Sequence, residues 1–242
     1  MKLTFQTAEV VEIIDEAPNV KRYVFRIPEI PWCDFIPGQF TMLDLPIESS
    51  QTTRAYSIAS PPSKTNNTFE LVIVLNPEGK GTPYIFENFK IGTRVPASLF
   101  IGKFGKPRPP AFEKDLCFIC TGTGIAPFRS MLLDIKNYNI PHKNITLIFG
   151  CRYVHDILYR KEMEELQNEL SDFSFIPVCS RETSLSWQGT VGYVHQVYKE
   201  LFSHKQPTQF YICGWKAMIM ETVENLKVLG YEKGDIKFEL YD

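Results

Sequence analysis

Leu116 to Leu133 reads L-C-F-I-C-T-G-T-G-I-A-P-F-R-S-M-L-L, and the fold is decided there. Leu116 to Cys120 form a short apolar and thiol-bearing run of the kind that makes a buried strand, and Thr121-Gly122-Thr123-Gly124 breaks it. A helix is expected next. Pro127 suits a first helical turn, where its missing amide hydrogen costs nothing, and Met131, Leu132 and Ile135 follow at helical spacing. A strand, a glycine turn and a helix start in succession gather free amides and the positive end of a helix dipole at one point, which is how a fold holds a pyrophosphate. The G-x-G-x-x-G fingerprint is only partly met, with Ala126-Pro127 at its third small position, so an ordinary tight strand-to-helix turn is the competing reading.

Beyond this stretch strand and helix alternate. Strand Ile145–Gly150 leads to helix Arg160–Leu170, then come strand Phe175–Cys179, a short helix over Tyr193–Leu201, strand Gln209–Cys213, helix Lys216–Leu229 and a last strand Phe238–Tyr241. Such alternation predicts a parallel sheet with helices on its faces and a ligand crevice at the strand carboxyl ends. Gly122, Gly150, Ser180 and Gly214 each end or follow a strand and are expected to line that crevice.

The chain before it has a different rhythm. Residues 3–30 alternate as strands with Asp15 to Asn19 as the turn; Phe40–Leu43, Arg54–Ser60, Phe69–Leu75 and Gly92–Leu99 read as further strands, with one short helix over Thr82–Phe89. Several short strands separated by turn signals predict an antiparallel, closed or nearly closed β-barrel up to about residue 105. Gly105-Lys106-Pro107-Arg108-Pro109-Pro110 then reads as a stiff linker. The expected organisation is therefore a barrel domain over 1–108 and an α/β parallel-sheet domain over 109–242.

Composition narrows the function classes. A net charge of −2 over 242 residues gives no reason to expect nucleic acid or an anionic membrane as partner. No apolar run reaches the roughly 18 residues that span a bilayer, and Glu9 and Glu12 follow too early for a secretory leader, so a cytoplasmic protein is expected. Six spread cysteines read as buried thiols in a reducing compartment. Cys117 and Cys120 sit three apart within a strand and point to opposite faces, which disfavours a redox pair, and no thiolate set suits an iron–sulfur cluster. The four histidines have no metal spacing, and no metal is expected.

Taken together, Pro37-Gly38-Gln39, Arg54-Ala55-Tyr56-Ser57, Gly79-Lys80-Gly81-Thr82, Gly122-Thr123-Gly124-Ile125-Ala126-Pro127, Cys179-Ser180-Arg181-Glu182, Cys213-Gly214 and Glu239-Leu240-Tyr241 resemble, in order, the motifs of the ferredoxin–NADP reductase superfamily. The resemblance covers nearly the whole chain. It implies FAD as cofactor, held by Arg54, Ala55, Tyr56, Ser57, the strand Val72, Ile73 and Val74, and the loop Gly79, Lys80, Gly81 and Thr82. A guanidinium suits a pyrophosphate and a tyrosine ring suits a flavin face. It implies NADP or NAD on Thr121, Gly122, Thr123, Gly124, Ala126, Pro127, Arg152, Ser180, Arg181, Cys213 and Gly214. Ser57, Cys213, Glu239 and Tyr241 are its implied catalytic residues, with Tyr241 covering the flavin. Gly102-Lys103-Phe104-Gly105 lacks the proline of the family's G-P-x-G turn, and Asp242 follows the terminal tyrosine.

The activity so implied is hydride transfer from NAD(P)H to FAD and single-electron transfer to a separate carrier: a ferredoxin, a flavodoxin, a cytochrome or an oxygenase component. Arg152 and Arg181 favour NADPH, since guanidinium suits a 2′-phosphate; Thr190 leaves a further basic position unfilled. Lys2, Lys103, Lys106 and Arg108 are candidates for a basic docking rim. The alternative from another class is a non-catalytic, redox-responsive nucleotide-binding subunit of a larger complex.

Overall fold

The computed structural model describes residues 4–241, so Lys2 and Asp242 lie outside the described residues. The chain divides into two compact units, one of residues 1–108 with 126–137, the other of 109–125 with 138–242.

The first unit carries β1 (Phe5–Ala17), β2 (Val20–Arg26), β3 (Phe40–Asp44), β4 (Thr53–Ser57), β5 (Thr68–Val74), α1 (Gly81–Asn88) and β6 (Arg94–Ser98). The strands form one antiparallel sheet in the order β4-β3-β6-β1-β2-β5. Its two end strands meet at an isolated Ile58–Leu71 bridge and through the Ala59 amide, which donates to Glu70 O at 2.8 Å. The antiparallel barrel is thus closed along only part of its seam. Phe25 and Phe69, cross-strand partners, stack at 5.3 Å, and Phe89 meets Tyr23 and Phe25 edge-on. Ile85 of α1 is fully buried in the same cluster, so the helix plugs the barrel with its apolar side.

Two details depart from the sequence reading. β1 runs on through Asp15 to Ala17, and the turn shrinks to Pro18-Asn19 with Asn19 at φ 60°. Polar residues that read as a turn are satisfied across the hairpin, Asp15 with Lys21 at 3.8 Å and Glu16 with Arg22 at 2.7 Å. A register shift between Val10 and Glu12 also breaks the alternation there, which leaves Glu12 exposed and lets Ile13 pack on the core.

α2 (Ala126–Asn137) groups with the barrel unit. Its Arg129 donates to Ala59 O at 2.9 Å and to Glu70 Oε1 at 3.2 Å, and Arg22 approaches Glu70 at 3.5 Å. Arg129 and Glu70 are each only 8% exposed, so this is an ion pair out of water. Asp134 of the same helix takes Arg108 in a bidentate pair at 2.6 and 3.1 Å, and Phe104 is buried 5.9 Å from Phe128. Phe104 and Arg108 are accordingly held by fixed partners, while Lys106 and Pro107 between them are exposed.

The second unit holds β7 (Asp115–Thr121), β8 (Ile145–Cys151), α3 (Arg160–Glu169), β9 (Phe173–Cys179), β10 (Thr190–Val191), α4 (Val194–Leu201), β11 (Thr208–Trp215), α5 (Lys216–Val228) and β12 (Ile236–Tyr241). All its strands pair in parallel, in the order β10-β9-β8-β7-β11-β12. β10, two residues on the sheet edge, is too short to show a period in the sequence. α4 and α5 cover one face, where Tyr198, Ile219 and Leu226 pack on Cys117, Ile119, Ile148 and Ile212. Among the described residues no helix is long and apolar enough to cross a membrane.

Candidate functional site

The seam of the barrel unit positions the first group of candidates. β4 and β5 are the two ends of the sheet and meet, among the described residues, near the Ile58–Leu71 bridge. Arg54, Ala55 and Tyr56 therefore lie on one lip, and Val72, Ile73 and Val74 on the other. Val72 and Ile73 are buried while Val74 is 44% exposed, so the lip turns outward toward its end. Tyr56 packs half-buried on the barrel core. Burial pushes its phenol well up, and the Arg54 charge offsets part of that rise. Ser57 is 7% exposed, the innermost of the four.

Arg54 uses one nitrogen, Nη1, on the carbonyls of Gln51 at 2.7 Å and Thr53 at 2.9 Å. Its stem lies against the start of α1, where a Cβ on Gly81 would sit 3.0 Å from Arg54 Cγ and 3.2 Å from Nε. α1 begins without a side-chain cap and without an acidic residue in its first turn. Thr82 is engaged backwards, its hydroxyl accepting the Asn76 amide at 2.8 Å, and Lys80 Nζ donates to Glu48 O at 2.6 Å. Uncapped amides, a helix dipole and a guanidinium with unspent donors meet at one glycine, the donor chemistry that an anion calls for. The donor chemistry of these residues fits a flavin nucleotide.

In the second unit the carboxyl ends of the sheet gather the other candidates. β7 ends at Thr121, whose Oγ1 accepts the Trp215 amide at 3.1 Å. Gly122 then takes φ +53° with open space where a Cβ would lie. Thr123 beside it is part-exposed. Gly124 is the opposite case, because a Cβ there would be 2.5 Å from Cys213 O and 2.9 Å from Gly214 Cα. The turn is a glycine turn for two reasons, backbone conformation at one position and backbone approach at the other. Ala126 and Pro127 are buried at the start of α2.

Ser180 hydrogen-bonds Cys151 O through its amide at 2.9 Å and its hydroxyl at 3.1 Å, and the Arg181 amide donates to Arg152 O at 2.8 Å. Arg152 and Arg181 are thus brought side by side and exposed, and among the described residues neither forms an ion pair with a carboxylate. Glu182 clamps the two loops, accepting amides from Val154 at 3.0 Å, Thr183 at 3.0 Å and Ser184 at 2.8 Å. Those bonds, Val154's foremost, draw its carboxyl below the ordinary range.

Cys213 and Glu239 are register partners on β11 and β12. The Cys213 thiol is fully buried. Burial first and the Glu239 charge second hold it well above the ordinary thiol range, while the Tyr241 hydroxyl and the Gly214 amide draw it part of the way back. Tyr241, Trp215 and Cys213 therefore surround one point, with Trp215 66% exposed.

The sequence reading missed a repeated pattern beside this site. Tyr153 stacks on His155 at 5.3 Å and Tyr193 on His195 at 5.6 Å, and His195 Nδ1 lies 3.4 Å from Glu221. The tripeptide Y-V-H occurs at both places and was the available signal. Of the docking-rim residues, Lys103 and Lys106 are exposed, whereas Arg108 is held by Asp134.

Residues 7–105 match the oxidoreductase FAD-binding domain family, and residues 118–224 the oxidoreductase NAD-binding domain family. Ferredoxin–NADP reductase B of Sorangium cellulosum is 30% identical over 247 residues that cover 97% of each chain. The chain belongs to the ferredoxin–NADP reductase superfamily. It carries the superfamily's FAD-binding and NAD-binding domains. It is also 26% identical to the glycine betaine monooxygenase reductase subunit of Chromohalobacter salexigens, over 92% of this chain and 60% of that one. It spans 58% of the anthranilate 1,2-dioxygenase electron transfer component of Acinetobacter baylyi, at 29% identity over 86% of this chain. Among solved structures, a ferredoxin NADP+ reductase from Neisseria gonorrhoeae with bound FAD and NADP shares the fold with a TM-score of 0.81, 24% identity and 99% coverage of both chains. Amycolatopsis cytochrome P450 reductase GcoB does so with a TM-score of 0.85 and 24% identity, over 99% of this chain and 71% of that one.

Proposed function

We propose that this superfamily member is a flavoprotein reductase that takes hydride from NAD(P)H, preferring NADPH, and passes single electrons to a separate carrier protein. The observation that carries the reading is the Arg54 guanidinium lying on Gly81 at the uncapped start of α1. FAD supplies the conversion of a hydride into single electrons when bound. Arg54 and the first-turn amides at Gly81 and Thr82 would hold its phosphates, Tyr56 would lie along its ring, and Val72 to Val74 would offer backbone groups from the opposite lip. Ser57 would supply a buried hydroxyl at the reactive edge.

Thr121 to Gly124 at the end of β7, with Ala126 and Pro127 next in the chain, would take the nicotinamide nucleotide's pyrophosphate. The nicotinamide end would reach the point surrounded by Cys213, Gly214, Glu239 and Tyr241. The buried, protonated Cys213 thiol is a shaping group there rather than a nucleophile. Arg152, Ser180 and Arg181 would face the adenosine end, and two guanidiniums that form no carboxylate pair among the described residues support the preference for a 2′-phosphate. The carrier is proposed to be a ferredoxin, a flavodoxin or an oxygenase component. Six free thiols support a reducing, cytoplasmic setting.

The test is direct. Purified chain reconstituted with FAD should be yellow and should bleach anaerobically on NADPH. A chain that retains no flavin, or whose flavin stays oxidised with both NADPH and NADH, overturns the reading. Equal kcat/KM for the two nucleotides in dye reduction overturns the NADPH preference.

A further inference from the structure

We propose that Cys151 and Cys179 form a modification site on the sheet unit: a dithiol that a low-molecular-weight disulfide converts to an intramolecular disulfide, with a change in nucleotide affinity as the consequence. The two residues end adjacent parallel strands and are register partners, and their sulfurs already touch at 3.6 Å. Neighbouring strands run about 4.8 Å apart, inside the span of roughly 4.4–6.8 Å between α-carbons that a disulfide bridges. Closure therefore asks for a side-chain rotation and a small approach rather than a refolded loop.

Accessibility selects this pair. Cys120 and Cys213 are also register partners on adjacent strands, but both are 0% exposed, and no oxidant reaches them in the folded chain. Cys151 is the one thiol among the six that is part-exposed. Its environment holds the proton on, by burial first and by Cys179 next, so the exchange is slow and responds to a sustained oxidising shift. In the first step Cys151 sulfur bonds one sulfur of the small disulfide and expels the other as a thiol, with the Cys151 proton ending on it. In the second, Cys179 sulfur attacks Cys151 sulfur, and the second small thiol leaves with the Cys179 proton. Two protein thiols and one small disulfide thus become one protein disulfide and two small thiols.

The coupling to nucleotide follows from what the strand ends carry. Cys151 O accepts both Ser180 bonds, Arg152 O accepts the Arg181 amide, and Cys179 O accepts the Gly192 amide at 3.1 Å. Drawing the two sulfurs together moves the backbone that sets Arg152, Ser180 and Arg181. This consequence rests on the proposed function; the disulfide itself does not.

Full-length protein is treated with oxidised glutathione, the free thiols are titrated, and the crosslink is mapped by peptide mass. Free thiols should fall from six to four, with the bond mapped to Cys151–Cys179. The affinity for NADP+ or NAD+, by calorimetry, should shift by about fivefold or more, the lower end of ordinary site-to-site coupling. Both the shift and the crosslink should vanish in Cys151→Ser and, independently, in Cys179→Ala, and reduction should restore the starting affinity. No crosslink, or one mapped to other cysteines, overturns the site; an unchanged affinity in the mapped disulfide form overturns the coupling. A chain that forms this disulfide and binds neither nucleotide breaks the proposed function and leaves the dithiol standing.

Discussion

The two units keep different chemistry in their interiors. The barrel unit buries charge: Glu70, Arg129 and Asp134 are all at most 8% exposed and each has an ion-pair partner. The sheet unit carries five of the six cysteines and buries four of them, and among the described residues its buried polar side chains are Thr208 and Thr222. A buried ion pair fixes geometry at a cost in desolvation, whereas a buried thiol packs like a small apolar group. The barrel interior should therefore be sensitive to losing one partner, and the sheet interior to alkali and to added volume.

The largest effect is expected inside the barrel unit. Arg129→Met removes one of the two guanidiniums that face buried Glu70 and should cost about 3 kcal/mol in denaturant unfolding. Adding Glu70→Leu should recover most of it, and a double variant no better than the single would break the contrast. On the sheet side, Gly124→Ala drives a methyl into the Cys213 carbonyl and should cost on the order of 3 kcal/mol in the same experiment.

A smaller effect, on ligand rather than fold, separates the cradles themselves. Arg54→Ala should weaken FAD retention by about tenfold to a hundredfold, the worth of charge-assisted hydrogen bonds, read as flavin fluorescence released on dilution. The smallest is the alkaline limb. Cys117, Cys120 and Cys213 have folded pKa values raised above the ordinary 9.0, so the unfolded chain ionises first. Their stabilisation is complete below pH 9.0 and is lost as pH rises toward the folded values, at about 1.4 kcal/mol per pH unit for each such thiol. Hydrogen exchange above pH 9 should show the sheet unit opening before the barrel unit; simultaneous opening would remove the distinction.

Much of this was legible because local pattern and fold agreed. Leu116–Cys120 followed by Gly122 and Gly124 announces a parallel strand and its turn, and Phe69–Leu75 an antiparallel one. What stayed hidden depends on partners far along the chain. Nothing local says that Arg129, on a helix that opens a nucleotide motif, reaches Glu70 59 residues earlier. Nor does any period reveal the register shift at Val10, or that Asp15 and Glu16 stay in the strand opposite Lys21 and Arg22. The candidate site residues are singled out in the sequence as motifs, while the reason for each glycine, conformation at 122 and approach at 124, is written only in three dimensions.

The chain leaves the barrel unit at Arg108, comes back for residues 126–137, and departs again. A single cut at the proline-rich junction therefore cannot sort it into two self-sufficient pieces. Anyone exchanging modules between relatives at that junction would import a foreign helix against a resident strand. Such a chimaera would lose one of the guanidiniums that face the buried Glu70 carboxylate unless position 70 travels with position 129.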